Sequence, residues 1–291
     1  MSSSGESKTS TGPSLPGANP SALPPSSFSR KVYSEGASRL IAVGWGTLAP
    51  ITFLMIGFAW WAAVVFLEIP RYLLPNPIDV VIRGFVDYEL IWRNAKFTLT
   101  AILLGFGITI VTAIPLGLII ALTKVAKQTL YPPMMLLQLV PKIAVAPLFL
   151  VWLGFGLESK VLLTILMTFF PLLLASISGF QILDDRLLYL TKSMGASIWQ
   201  TFRCLRFPAA LPVIFSGLKA SATIAATAAI VAEFVGSNNG LGYVLLRATS
   251  TLDTELVFAV LLVLTLIGIA INYAVEFAEW IMTPWQRVRN T

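Results

Sequence analysis

Phe97-Thr-Leu-Thr-Ala-Ile-Leu-Leu-Gly-Phe-Gly-Ile-Thr-Ile-Val-Thr-Ala-Ile-Pro-Leu-Gly-Leu-Ile-Ile-Ala-Leu-Thr123 holds no charged side chain. About 20 apolar residues carry a helix across a ~30 Å hydrocarbon core, so this run reads as a membrane span. Comparable runs lie on both sides of it. Leu40–Leu67 is uncharged and carries Trp60 and Trp61 toward its far end. Met134–Leu153 holds one charge, Lys142, and Val161–Leu183 holds none. Pro208–Val235 is interrupted by Lys219 and closed by Glu233, and Leu256–Val275 is again uncharged. The expected fold class is therefore all-α integral membrane, with six transmembrane helices.

Composition agrees. Hydrophobic residues make up 56% of the 291-residue chain and charged residues 12%, with a mean hydropathy of +0.81. A soluble domain carries about 25% charge. There is no histidine and a single cysteine, Cys204. That excludes imidazole metal sites, Ser-His nucleophile pairs, disulfides within the chain and multi-cysteine cages. The net charge of +6 comes from Lys and Arg that flank the apolar runs; such placement fits membrane edges and not nucleic acid. No Gly-x4-Gly-Lys-Ser/Thr phosphate loop occurs, so energy for any active process comes from outside the chain. No metal or cofactor site is expected.

Of the first 39 residues, 21 are Ser, Pro or Gly. They cannot bury enough apolar area to offset the entropy of ordering. Residues 1–39 are expected to be a disordered, uncleaved tail, residues 40–285 the transmembrane domain, and residues 286–291 a C-terminal tail. With the N-terminus inside, the inner segments hold 12 Lys and Arg and the outer segments 6, which places both termini in the cytoplasm. The first outer loop, Glu68–Lys96, breaks at Pro70, Pro75 and Pro77. Its stretch Ile78–Trp92 has the spacing of an amphipathic helix lying on the outer membrane face.

Two spans carry small residues every fourth position: Gly105, Thr109, Ala113, Gly117 and Ala121, then Gly217, Ser221, Ala225 and Ala229. Small side chains let helix backbones approach in lipid. The second ladder ends toward Glu233, so it serves either packing within one subunit or a central pathway or dimer seam. Pro115, Pro141, Pro147 and Pro171 interrupt spans, as helices lining a conduit do. Lys142 and Lys219 lie inside spans, where a charge costs at least ~2.5–3.5 kcal/mol. They either draw an anionic solute or snorkel to an interface and satisfy free carbonyls.

The inner loop 184–207 carries its own pattern. Leu187, Leu188, Thr191 and Met194 fall at helical spacing before Gly195, and Ile198, Trp199 and Phe202 repeat it afterwards. Gly195 suits a left-handed C-cap, Ser197 an N-cap, and Pro208 the first position of the fifth helix. With Lys192, Arg203 and Arg206 as basic flanks, the loop reads as a docking knob.

This segment resembles the EAA loop of permease subunits of ATP-binding-cassette importers, whose pattern is Glu-Ala-Ala-x3-Gly-x9-Ile-x-Leu-Pro. Gly195 and Pro208 match in spacing. Tyr189-Leu190-Thr191 stands in place of Glu-Ala-Ala, and Leu205 and Phe207 replace the Ile and Leu. Gly195-Ala196-Ser197, Trp199-Gln200-Thr201-Phe202 and Pro208-Ala209-Ala210-Leu211-Pro212 resemble the nitrate/sulfonate/taurine-type branch. So do Ile114-Pro-Leu-Gly-Leu118, Pro141-Lys142-Ile-Ala-Val-Ala-Pro147, Trp152-Leu-Gly-Phe-Gly156, and Ala232-Glu-Phe-Val-Gly236 with Gly240-Leu-Gly-Tyr243.

The resemblance implies the type I importer architecture in a bacterial inner membrane. It implies a homodimeric permease, two cytoplasmic ATPase subunits that bind ATP and Mg, and an extracytoplasmic substrate-binding protein. Lys192, Met194, Gly195, Ala196, Ser197, Trp199, Phe202 and Pro208 are then expected to meet the ATPase. Pro141, Lys142, Lys219, Ser221, Ala225 and Glu233 are expected along the pathway. The solute is expected to be a small anion of the nitrate, sulfonate or taurine kind, or alternatively a heteroaromatic vitamin precursor such as a pyrimidine. A proton-coupled carrier using Glu233 is the competing class. Such carriers are commonly built from two related halves, and this sequence shows no internal repeat.

Overall fold

A computed structural model describes residues 51–287, and the expected tail 1–39 lies outside them. The chain divides into two units, residues 1–59 and 60–291. The described part of the first opens helix α1, Ile51–Phe66, which belongs to the first expected span. The remaining helices are α2 (Pro77–Val86), α3 (Tyr88–Leu122), α4 (Lys124–Thr129), α5 (Tyr131–Leu137), α6 (Lys142–Leu153), α7 (Leu157–Phe180) and α8 (Asp185–Ser193). A continuous α9 (Ile198–Val235) follows, then α10 (Leu241–Ser250), α11 (Thr254–Met282) and α12 (Pro284–Arg287). Among the described residues, four helices are long and apolar enough to cross a membrane: α3, α7, α9 and α11. A fifth crossing is counted if α4–α5 and α6 form one broken span.

Helix α7 lies between α3 and α9 and makes its most extensive contacts with those two. The small-residue ladders explain why. A Cβ on Gly105 would fall 2.6 Å from Thr164 Cβ, and one on Gly117 would fall 2.6 Å from Ser176 Cβ. Between these points the hydroxyls of Thr109 and Thr168 are hydrogen-bonded at 2.8 Å. On the other flank, Gly217 abuts Ala175 and the Ser221 hydroxyl donates to the Thr168 carbonyl at 3.2 Å. Both ladders therefore pack within the chain. The interior is dominated by close backbone approach, the form of contact that dispersion rewards in lipid.

Three expectations are corrected. The third span is not one helix: the axis turns by 91° between α4–α5 and α6. Pro141 sits at the turn with extended backbone, φ −68° and ψ 91°; its ring supplies no N–H and disfavours helix at the residue before it. The amphipathic stretch 78–92 splits at Asp87 (φ −96°, ψ 21°), and its second half runs straight into the 35-residue α3. Its first half, α2, buries Val80 and is tied to α11 by Arg83, whose guanidinium lies 2.9 Å from Asp253 and 3.2 Å from Asp87. The Asp253 hydrogen bond, then the charges of Asp253, Asp87 and Glu255, hold that guanidinium above its ordinary pKa against the opposing effect of burial. Finally, Pro208 lies in the first turn of the α-helical stretch Phe207–Val235, as expected, but that stretch is not a new helix. Residues Phe202–Arg206 form a widened π turn, closed by the Phe207 N–H on the Phe202 carbonyl, and α9 continues through it. Proline cannot donate to the carbonyl four residues back and collides with it, and a widened turn relieves both problems.

Candidate functional site: an exposed elbow and a buried polar node at the two ends of α9

At one end of α9 the chain makes a tight elbow. Asp184 caps α8 by accepting the Arg186 N–H at 2.9 Å. Helix α8 ends where Gly195 adopts φ +78°. The Gly195 N–H bonds the Lys192 carbonyl and the Ala196 N–H bonds the Thr191 carbonyl, both at 3.1 Å. This is the paired closure of a Schellman cap, which requires a left-handed residue at the glycine position. Two residues later Ser197 opens α9 with a capping box: Ser197 Oγ accepts the Gln200 N–H at 3.2 Å, and Gln200 Oε1 accepts the Ser197 N–H at 2.8 Å. Every bond that shapes the turn is local, so the elbow is set by its own sequence.

The elbow's apolar residues divide into two sets. Leu188 and Phe202 face inward across a groove of about 530 Å³, shared with Lys192, Ala196, Ser197 and Arg206. Phe202 stacks between Trp199 (5.7 Å) and Phe180 (6.4 Å), with Phe207 at 6.0 Å, and so anchors the elbow to the end of α7. Tyr189, Leu190, Met194, Ile198 and Trp199 face outward, with Ile198 91% exposed and Met194 77% exposed. Of the expected contact residues, Lys192, Met194, Gly195, Ser197 and Trp199 are exposed on the elbow, and Ala196, Phe202 and Pro208 are half-buried in its stem. Tyr189, Leu190 and Ile198 join the outward face without having been chosen from the sequence. Their signal is apolar side chains at a turn built from polar caps.

The other end of α9 carries Glu233, which is 1% exposed. Its Oε1 accepts the Thr98 hydroxyl at 2.8 Å and its Oε2 accepts the Gly242 N–H at 2.7 Å. Thr98 Oγ1 in turn accepts the Leu241 N–H at 2.8 Å, and Asn94 Oδ1 accepts the Gly240 N–H at 2.9 Å. Three consecutive N–H groups at the start of α10 are thus received by side chains of α3 and α9. Gly240, at φ +113°, permits this approach, because a Cβ there would strike the Glu233 carboxylate. Lys160 of α7, 4% exposed, completes the node by donating to the Asn239 carbonyl at 3.0 Å. Asn94, Thr98 and Lys160 were not foreseen, although Asn94 and Thr98 stand one helical turn apart at the start of a span, where paired polar residues signal an internal partner.

The remaining expected pathway residues are dispersed. Ser221 and Ala225 are fully buried against α7 and line no open surface of the chain. Lys219 is ion-paired with Glu279 of α11. Lys142 begins α6 just after Pro141, donates to the Gln138 carbonyl at 3.3 Å, and lies 5.2 Å from the centre of the Phe170 ring. It thus satisfies a carbonyl freed by the break. No group of three or more metal-ligating side chains occurs among the described residues.

Comparison with known proteins gives a consistent picture. The family described as "Binding-protein-dependent transport system inner membrane component" matches residues 113–287, more than half of the chain. The chain is 34% identical to the formylaminopyrimidine transport permease ThiX of Halalkalibacterium halodurans, covering 81% of this chain and 94% of that protein. It is likewise 34% identical to the riboflavin transport system permease RibX of Chloroflexus aurantiacus, over 81% and 89%. Identity to the taurine transport system permease TauC of Escherichia coli is 28%, over 85% and 91%. The inward-facing MetNI methionine ABC transporter shares the fold, with a TM-score of 0.57 at 19% identity over 67% of this chain and 97% of that one. A multi-pass helical chain with an exposed elbow between two of its spans, matched over most of its length by these permeases, belongs to the inner-membrane permease family of ATP-binding-cassette importers.

Proposed function

We propose that this permease works as a homodimer with both termini in the cytoplasm, coupled through the elbow around Gly195 to two ATPase subunits that bind ATP and Mg. An extracytoplasmic substrate-binding protein delivers the solute. The observation that carries this reading is mechanical: an exposed apolar tip is fixed to a 38-residue helix by local caps and by the Phe202 stack. Force applied to Met194, Ile198 and Trp199 is passed along α9 to the node at Glu233, roughly 52 Å from the start of the helix at 1.5 Å per residue. Closure of the ATPases on nucleotide would draw two such elbows together and reorient α9 against α7.

The solute we infer is a small anionic or heteroaromatic compound. The heteroaromatic option gains weight from ThiX and RibX, whose names specify formylaminopyrimidine and riboflavin, and the anionic option from TauC. The proton-coupled alternative fares worse, because both oxygens of Glu233 are committed to Thr98 and Gly242. Co-purification is the test. The full chain, co-expressed with its partner ATPase, is expected to hold that ATPase and to accumulate solute only with hydrolysable ATP. Uphill accumulation by the permease alone in vesicles overturns the proposal.

A further inference from the structure

Beside the node at Glu233 lies a pocket of about 520 Å³, within the range of small-molecule sites, that none of the roles above employs. Its walls include Arg93 and Lys96 from one face of α3, Lys160 from the first turn of α7, Gly156 and Leu157 at the start of α7, and Asn239. Three cationic side chains thus converge on one cavity. Among the described residues, none of the three has a carboxylate within 4 Å. Lys160 is almost wholly buried, and its ammonium has one hydrogen bond there, to the neutral Asn239 carbonyl, which leaves donor capacity unused.

The backbone adds to this field. Helix α7 runs for 24 residues and is preceded by Gly156, so no side-chain cap covers its first N–H groups. That end of a helix favours negative charge. The acid of the first turn, Glu158, is exposed, and the Glu233 carboxylate of the node also acts on Lys160; even with both ionised, three cations against two carboxylates leave the pocket net positive. Lys96 is held with its ammonium 5.3 Å from the centre of the Trp92 ring, so an indole is in contact with one of the pocket's three cations.

We propose that this pocket binds a small oxyanion, such as a sulfonate, carboxylate or nitrate group, on Arg93, Lys96 and Lys160. The inference rests on the importer reading and deepens it, because it locates where the charged part of a solute is received at the end of the helices remote from the elbow. It also gives the site a consequence. An anion bound to the spare donors of Lys160 shares the ammonium with the Asn239 carbonyl, and Asn239 precedes the three N–H groups held by Asn94, Thr98 and Glu233. Occupancy is thereby linked, through Lys160, to the segment leading into α10.

Trp92 provides the readout. The full permease, purified with its ATPase in phosphatidylcholine nanodiscs, is titrated with ethanesulfonate, nitrate and acetate while tryptophan emission is followed. A saturable change is expected, absent in Trp92→Phe, with affinity weaker by on the order of ten-fold in the double variant Arg93→Gln/Lys96→Gln. Both positions are exposed, so an unchanged melting temperature is expected to accompany that loss. No saturable response, or equal affinity in the double variant, overturns the proposal. A second arm adds phosphatidylglycerol: a response that appears only with this lipid assigns the pocket to a phosphate headgroup and overturns the solute reading. Failure of anion binding with ATP-dependent uptake intact refutes this site alone, whereas loss of ATPase association with anion binding intact refutes the importer mechanism alone.

Discussion

Gly195 is the residue at which the sequence pattern and the geometry coincide most closely. Its φ of +78° lies in the region that costs a side-chain-bearing residue about 1–2 kcal/mol. A Cβ placed there meets nothing within 4 Å, so the penalty of substitution is conformational and involves no collision. Gly195→Ala is expected to leave the permease inserted while lowering the ratio of uptake to ATP hydrolysis in proteoliposomes. Gly195→Asn, which tolerates the left-handed region better, should fall between the two; equal coupling in all three would show that the cap is not what transmits force. Glu233 offers a contrasting case. The sequence places it along the pathway, at the end of an apolar run, but its partners come from α3 and from the segment after it, and pairings so remote in sequence leave no local signal. Glu233→Ala strands the Thr98 hydroxyl and the Gly242 N–H, at about 1–3 kcal/mol for each unsatisfied buried group. A clear drop in the melting temperature of the detergent-purified chain is expected, with a smaller drop for Glu233→Gln, which retains one acceptor oxygen.

At the scale of elements, the apolar runs were legible because each needs only length and the absence of charge. Their joints were not. The 91° turn at residues 138–141 and the π turn at Phe202–Arg206 both arise at prolines, and a proline in an apolar run is equally compatible with a gentle bend, a break or a new start. Which outcome occurs depends on the neighbours that satisfy the freed groups. At the first joint the neighbour is Lys142, which donates to the Gln138 carbonyl and faces Phe170; of the two roles its sequence position allowed, satisfying a freed carbonyl is the one this contact supplies. Lys142→Met should therefore lower stability by about 1 kcal/mol through the lost charged hydrogen bond and ring contact. Lys142→Arg should restore most of it, as read by thermal unfolding in detergent. A loss of uptake in Lys142→Met without any loss of stability would return the residue to the pathway. The small-residue ladders show the same limit from the other side. Their spacing announced close packing, and the partner, α7, could be named only once Thr164, Thr168 and Ser176 were seen opposite Gly105, Thr109 and Gly117.

For the whole molecule, the mechanism depends on orientation, and the chain carries its own probe. Basic residues favour cytoplasmic termini by 12 to 6, a bias that acts through retention of Lys and Arg on the inner side. The same assignment puts the elbow inside, where an ATPase can reach it. Cys204 is the sole cysteine, it is exposed, and it lies in the π turn that joins the elbow to the rest of α9. A membrane-impermeant maleimide should therefore label inside-out vesicles and spare right-side-out vesicles or spheroplasts. Labelling from the opposite face would invert the topology and place the elbow beyond the reach of any cytoplasmic motor. The thiol also reports on docking. If the ATPase seats on Met194, Ile198 and Trp199, its presence should slow modification of Cys204, only a turn or two along the same helix. The Gly195→Ala variant, with its cap weakened, should show less protection at the same ATPase concentration. Protection that is equal in both proteins would mean that docking does not depend on the geometry of the cap.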